Sequence, residues 1–153
     1  MYRIAIQRAV KNRTIPVSAK LRRWAKQALK EHVPAGELTI RIVNEDEMAL
    51  LNKTYRHKSR PTNVLSFPFD TPEENDLDLP LLGDIVICAP VVEKEAYEQE
   101  KDGQAHWAHL VVHGALHLLG FDHEKNIDAE KMEAAEIKIL NKLGFSNPYA
   151  EKA

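Results

Sequence analysis

The chain has 153 residues, of which 44% are hydrophobic and 29% charged, which is enough for one domain with its own core and too short to expect two. Its apolar stretches are broken by charge or Gly well before the ~20 residues that a membrane helix needs, and the opening Met1-Tyr2-Arg3-Ile4-Ala5 has no signal-peptide core, so export and membrane insertion are not expected and a cytoplasmic location is. The net charge of −2 hides an asymmetry, because residues 1–60 hold 14 Lys and Arg against 5 Asp and Glu while the remainder holds 7 against 18; such a split presents a face to a polyanion unless folding intermixes the halves.

Tyr2, Ile4 and Ile6 alternate with other residues, and Leu38, Ile40 and Ile42 repeat the pattern within Glu37 to Val43, which predicts two strands. A helix lies between them, with Ser18 as its N-cap, Leu21, Trp24, Ala25, Ala28 and Leu29 as its apolar stripe, and Arg22, Arg23, Lys26 and Lys30 outside it. Pro34-Ala35-Gly36 ends that segment. Asn44 followed by Glu47 has the form of a capping box opening a second helix through Tyr55, after which Arg56 to Asn63 is polar and basic.

Val64-Leu65-Ser66-Phe67 predicts a third strand, and the acidic stretch Asp70 to Asp78 an exposed loop. Leu82 to Cys88 predicts the fourth strand, in which Cys88, the single cysteine, is expected as a buried, inert thiol. Pro90 suits the first turn of a helix reaching Lys101, and Asp102-Gly103 separates it from a more apolar helix over residues 104–119 that Gly120 stops. The final helix runs from Asp128 to Leu143, with Met132, Ala135, Ile139, Leu140 and Leu143 inward and Gly144 as its C-terminal cap. The order predicts an α+β domain with a mixed four-stranded sheet packed by about five helices.

The stretch His113-Gly114-Ala115-Leu116-His117-Leu118-Leu119-Gly120-Phe121-Asp122-His123 carries the chemistry. Two His four apart on a helix have Cβ atoms about 5–6 Å apart, close enough for both imidazoles to reach one ion. Gly120 can take positive φ just past the helix end and return His123 toward the same face. Three neutral imidazoles suit zinc best, and three protein ligands leave a position open for chemistry, whereas structural zinc sites close with four. His109, one turn back, and His106, one turn further, are candidates to support the ligands, with His106 expected as a half-exposed helix histidine. A Gly in mid-helix costs about 1 kcal/mol relative to Ala, so Gly114 marks a close approach.

The spacing coincides with the metzincin pattern H-E-x-x-H-x-x-G-x-x-H. Gly114 stands where that pattern has its glutamate base, which argues against peptidase chemistry unless Asp122 or Glu124 substitutes. The segment 113–123 resembles the signature H-G-x-L-H-L-x-G-[FY]-D-H of the YbeY family of bacterial endoribonucleases. Asn52, Tyr55-Arg56 and Pro61-Thr62-Asn63-Val64-Leu65-Ser66-Phe67 resemble that family's second block, and Gly83-Asp84-Ile85 its third. Asn63 departs from the Asp of many members, so it is assigned no catalytic role. The resemblance implies a zincin-like α+β fold and a single-strand-specific endoribonuclease. It further implies one zinc per chain, held by His113, His117 and His123. The implied partners are single-stranded RNA, ribosomal RNA and the small ribosomal subunit, in ribosomal RNA maturation and ribosome quality control. Arg56, matching the family's Tyr-Arg pair, is the candidate for balancing charge on a phosphoryl group. Two other classes remain open, a zincin-type protease and a non-catalytic assembly factor with a structural metal.

Overall fold

In the computed structural model, residues 1–11, 14–58, 60–69, 79–122 and 125–150 are described. They form, in order, β1 (Tyr2–Arg8), α1 (Ser18–Lys30), β2 (Gly36–Val43), α2 (Glu45–Arg56), β3 (Val64–Pro68), β4 (Leu81–Cys88), α3 (Ala89–Glu98), α4 (Gly103–Leu118) and α5 (Asn126–Lys142). This is the predicted α+β order, and the acidic stretch 70–78 lies outside the described residues.

The strands pair as β1-β2-β4-β3, with β1, β2 and β4 parallel and β3 antiparallel to β4. A central strand buried on both faces reads as an apolar run rather than as an alternation, and β4 shows why. Ile85 and Ile87 enter the larger core with α1, α4 and α5, while Val86 and Cys88 enter a smaller one with Met48 and Leu65. Cys88 is fully buried, and burial pushes its thiol up, as an inert cysteine requires.

Helix α1 buries Leu21, Trp24, Ala25, Ala28 and Leu29, the predicted stripe. Its cap differs from expectation: Val17 occupies the N-cap position, without a side-chain bond, and Ser18 is the first helical residue. Part of the basic half serves the fold, since Arg22 Nε donates to the Ile4 carbonyl at 3.0 Å and Arg8 Nη1 to that of Pro16 at 2.8 Å. At the start of α2 only half of the capping box forms. Asn44 Oδ1 accepts from the Glu47 amide at 3.0 Å, but the Glu47 carboxylate is taken by the Arg41 guanidinium through contacts of 2.6 and 2.9 Å. Helix α3 stops at Glu98, short of the predicted Lys101, because Glu100 turns into the left-handed region at φ 54°. Helix α4 packs against α1, α3, α5, β3 and β4, so Trp107, Ala108, Val111, Val112, Ala115 and Leu116 are all buried.

Candidate functional site

One side of α4 escapes that burial. His113 and His117, four apart on this side, are half-buried, and their Nε2 atoms lie 3.1 Å apart. Gly114, between them, faces the sheet instead: a Cβ added there would meet Ile85 Cγ2 at 2.8 Å. The close approach expected at this glycine is therefore strand β4. Beyond the helix, Gly120 takes φ 98°, and the Phe121 amide returns to the Leu116 carbonyl at 3.1 Å, a reversal of the kind that glycine permits. His123 lies outside the described residues.

The two histidines and Asp122 form one wall of a cleft of about 620 Å³, and Asn52, Arg56, Lys58, Asn63 and Ser66 line the rest. Arg56 is the last residue of α2, is exposed, and donates from Nη2 to the Ser66 carbonyl at a long 3.4 Å. Its position is set by the helix end. His57 caps α2 in the left-handed conformation at φ 59°, and buried Asn52 donates from Nδ2 to the Arg60 carbonyl at 2.7 Å, tying the following segment back to the helix. Ser66 Oγ donates to the Gly114 carbonyl at 3.1 Å, which joins β3 to α4 at the turn that carries the histidines. Asn63 is held by its neighbours, accepting from the Val64 amide at 2.6 Å and donating to the Glu95 carboxylate at 3.1 and 3.3 Å. An aspartate there would set two carboxylates against each other.

Behind the histidines stands a residue that the sequence reading passed over. Glu136, on α5 and 1% exposed, accepts from His113 Nδ1 at 3.0 Å on Oε1. Its Oε2 accepts from His109 Nε2 and, at 2.7 Å, from the Tyr149 hydroxyl. Burial alone pushes such a carboxyl up; the hydrogen bonds from His109 and His113 overcome it and hold Glu136 down at about 2. Burial and the Glu136 carboxylate together push the Tyr149 phenol above its usual range. The signal for Glu136 was a charged residue on the apolar stripe of α5, four after Met132 and three before Ile139. Tyr149 and Ser66 carry no such signal.

His106 corrects an expectation. It is 5% exposed, not half-exposed, and its Nε2 meets Glu95 Oε1 at 3.0 Å. Burial lowers its pKa, against the raising effect of Glu95. His109 does stand behind a predicted ligand, through Glu136. His109, His113 and Glu136 also bring donor atoms within 4.8 Å of one another, so this cluster could hold a metal ion. No helix among the described residues is long and apolar enough to cross a membrane.

Comparison with known proteins adds an independent finding. The family model described as Endoribonuclease YbeY matches residues 6–144. A protein named Endoribonuclease YbeY from Nitrosococcus oceani is 56% identical over 146 residues, covering 95% of either chain. One of the same name from Pseudomonas putida is 56% identical over 151 residues, covering 99% of this chain and 95% of that one. The solution structure of TM1509 from Thermotoga maritima is similar with a TM-score of 0.57 at 27% identity, covering 99% of this chain and 100% of the other.

Proposed function

The chain belongs to the endoribonuclease YbeY family, and from that premise we propose that it is a single-domain, zinc-dependent endoribonuclease of single-stranded RNA. In this reading it works in the cytoplasm, in ribosomal RNA maturation and ribosome quality control at the small ribosomal subunit. One zinc ion is held by His113, His117 and His123, with Arg56 across the cleft as the charge-balancing residue.

The observation that carries this reading is the pair of Nε2 atoms 3.1 Å apart on a cleft that also contains Arg56 and Lys58. The donor set fits the ion. The Glu136 carboxylate lies 3.0 Å from His113 Nδ1, and a proton held on that nitrogen would leave the Nε2 lone pair for an ion in the cleft beside His117. Neutral imidazoles with an open position suit catalytic zinc. When bound, such an ion supplies a Lewis acid that polarises a phosphoryl oxygen.

The protein's own groups supply the rest. Arg56 offers a planar fork for two phosphoryl oxygens, and its exposed position leaves it free to follow them as negative charge develops. Lys58 adds a point charge at the same wall. Asp122 is the one carboxylate among the described residues lining the cleft, and in this reading it accepts the proton of the attacking hydroxyl. A peptidase of the metzincin type would need a glutamate at position 114, where even a Cβ collides with Ile85.

The test is single-turnover cleavage of a labelled single-stranded RNA by metal-loaded, nuclease-free protein, with a duplex RNA, an unfolded peptide substrate and a His113→Ala preparation alongside. Cutting confined to the single strand and lost in His113→Ala is expected. Equal cutting by His113→Ala, or cleavage of the peptide alone, overturns the reading.

A further inference from the structure

We infer that Glu136 is the positioning residue of the metal centre, fixing His113 with its proton on Nδ1 so that Nε2 is presented to the ion. The inference rests on the zinc reading above and deepens it.

A carboxylate that is 1% exposed is costly unless its lone pairs are filled. Here they are filled by three donors from two parts of the chain: His113 Nδ1 at 3.0 Å and His109 Nε2, both on α4, and the Tyr149 hydroxyl beyond α5 at 2.7 Å. The partition between the two oxygens matters. Among the described residues, Oε1 serves His113 alone, while Oε2 is shared by His109 and Tyr149, which are themselves 3.1 Å apart. The carboxylate therefore cannot rotate away from His113 without abandoning bonds on its other oxygen. With Nδ1 tied, the remaining freedom of the His113 ring, rotation and tautomer exchange, is removed, and Nε2 stands 3.1 Å from its counterpart on His117. The constraint comes from α5, 23 residues downstream of His113.

The same three residues could instead take an ion directly, with Glu136 as a ligand. The hydrogen-bonded reading is favoured because Glu136 is buried and absent from the cleft lining, whereas His113 and His117 line the cleft together with Arg56.

Two measurements decide it. In metal-free protein, 15N NMR of the imidazoles should show His113 as the Nδ1–H tautomer, and Glu136→Gln should populate the Nε2–H form. This arm does not depend on zinc, so it separates failure of the inference from failure of the zinc reading. In the second arm, zinc affinity is measured by competition with a chromophoric chelator. Glu136→Gln should weaken binding about 10–100-fold while leaving about one ion per chain at saturation, and Tyr149→Phe should weaken it less. An Nε2–H His113 in wild type, unchanged affinity in Glu136→Gln, or binding lost in Glu136→Gln but kept in His117→Ala would each overturn the assignment. The wild-type tautomer remains decisive even if Glu136→Gln does not fold.

Discussion

Replacing Gly114 by Ala sets two known effects against each other. Removing a mid-helix glycine should stabilise α4 by about 1 kcal/mol through helix propensity. The new methyl, however, would stand 2.8 Å from Ile85 Cγ2, 3.3 Å from Cγ1 and 3.4 Å from Cδ1. All three atoms belong to a fully buried side chain on the central strand β4, so Ile85 has little room to yield. Overpacking of this kind costs about 1–3 kcal/mol, which leaves a net loss of about 1 kcal/mol and, for a chain of this size, a fall in Tm of about 2–4 °C. Ile85→Ala removes every offending atom. It costs about 2–5 kcal/mol by itself, but in that background Gly114→Ala should become stabilising by the propensity term alone. Urea unfolding of the metal-free single and double variants reads the sign change directly, free of ligand linkage. Equal stabilisation by Gly114→Ala in both backgrounds would refute the claim that α4 is seated against β4 at this turn.

Arg56→Ala should lower single-turnover RNA cleavage by roughly 10²–10³, by analogy with a lost oxyanion donor, and Arg56→Lys should recover little because an ammonium cannot reproduce the fork. Metal content and Tm should stay near wild type, since the residue is exposed and makes one long bond; wild-type cleavage by the Ala variant would remove Arg56 from the site. RNA binding should weaken with salt at a log-log slope of about −0.7 per neutralised phosphate, and Lys58→Ala should flatten that slope by about one phosphate, with an unchanged slope placing Lys58 off the RNA path. Asp84, whose pKa burial raises, gives the pH test. The folded state then binds more protons than the unfolded one between the two pKa values, so stability falls as pH rises through that window and the penalty is complete above it. Asp84→Asn should therefore raise Tm at pH 7 and lose that advantage below about pH 4, the ordinary Asp range; an equal gain at both pH values would rule out charge burial as the cause.

The fold was legible where burial repeats with a local period. Leu21, Trp24, Ala25, Ala28 and Leu29 repeat at helical spacing and are buried together, and Leu38, Ile40 and Ile42 alternate and point into one core. Capping was less legible, because a cap depends on which competing partner is nearer. Glu47 has the right spacing to close back on Asn44, but Arg41 lies on the adjacent strand and offers a charged bidentate bond, which is stronger than a neutral one. Ser18 has a capping residue's chemistry but sits one position inside the helix. Such choices turn on tertiary neighbours that no local window contains.

The same division runs through the site. His113 and His117 were legible because the helix alone makes four-residue neighbours, and Gly120 because positive φ leaves a compositional trace. Asn52 was marked by its motif, but its duty, holding the Arg60 carbonyl so that Arg56 faces the cleft, became visible only with the loop in place. Glu136 is the intermediate case. Its partners cannot be read from α5, yet its need for partners can, because an acidic side chain between Met132 and Ile139 on a buried helix face must be either bonded or protonated. In a chain that already shows a histidine pair on another helix, the cheapest donors for that carboxylate are the imidazole nitrogens turned away from the ion. A charged residue on an apolar helical stripe is thus a usable pointer to the groups that orient a metal site, provided the ligands themselves have first been found by their own spacing.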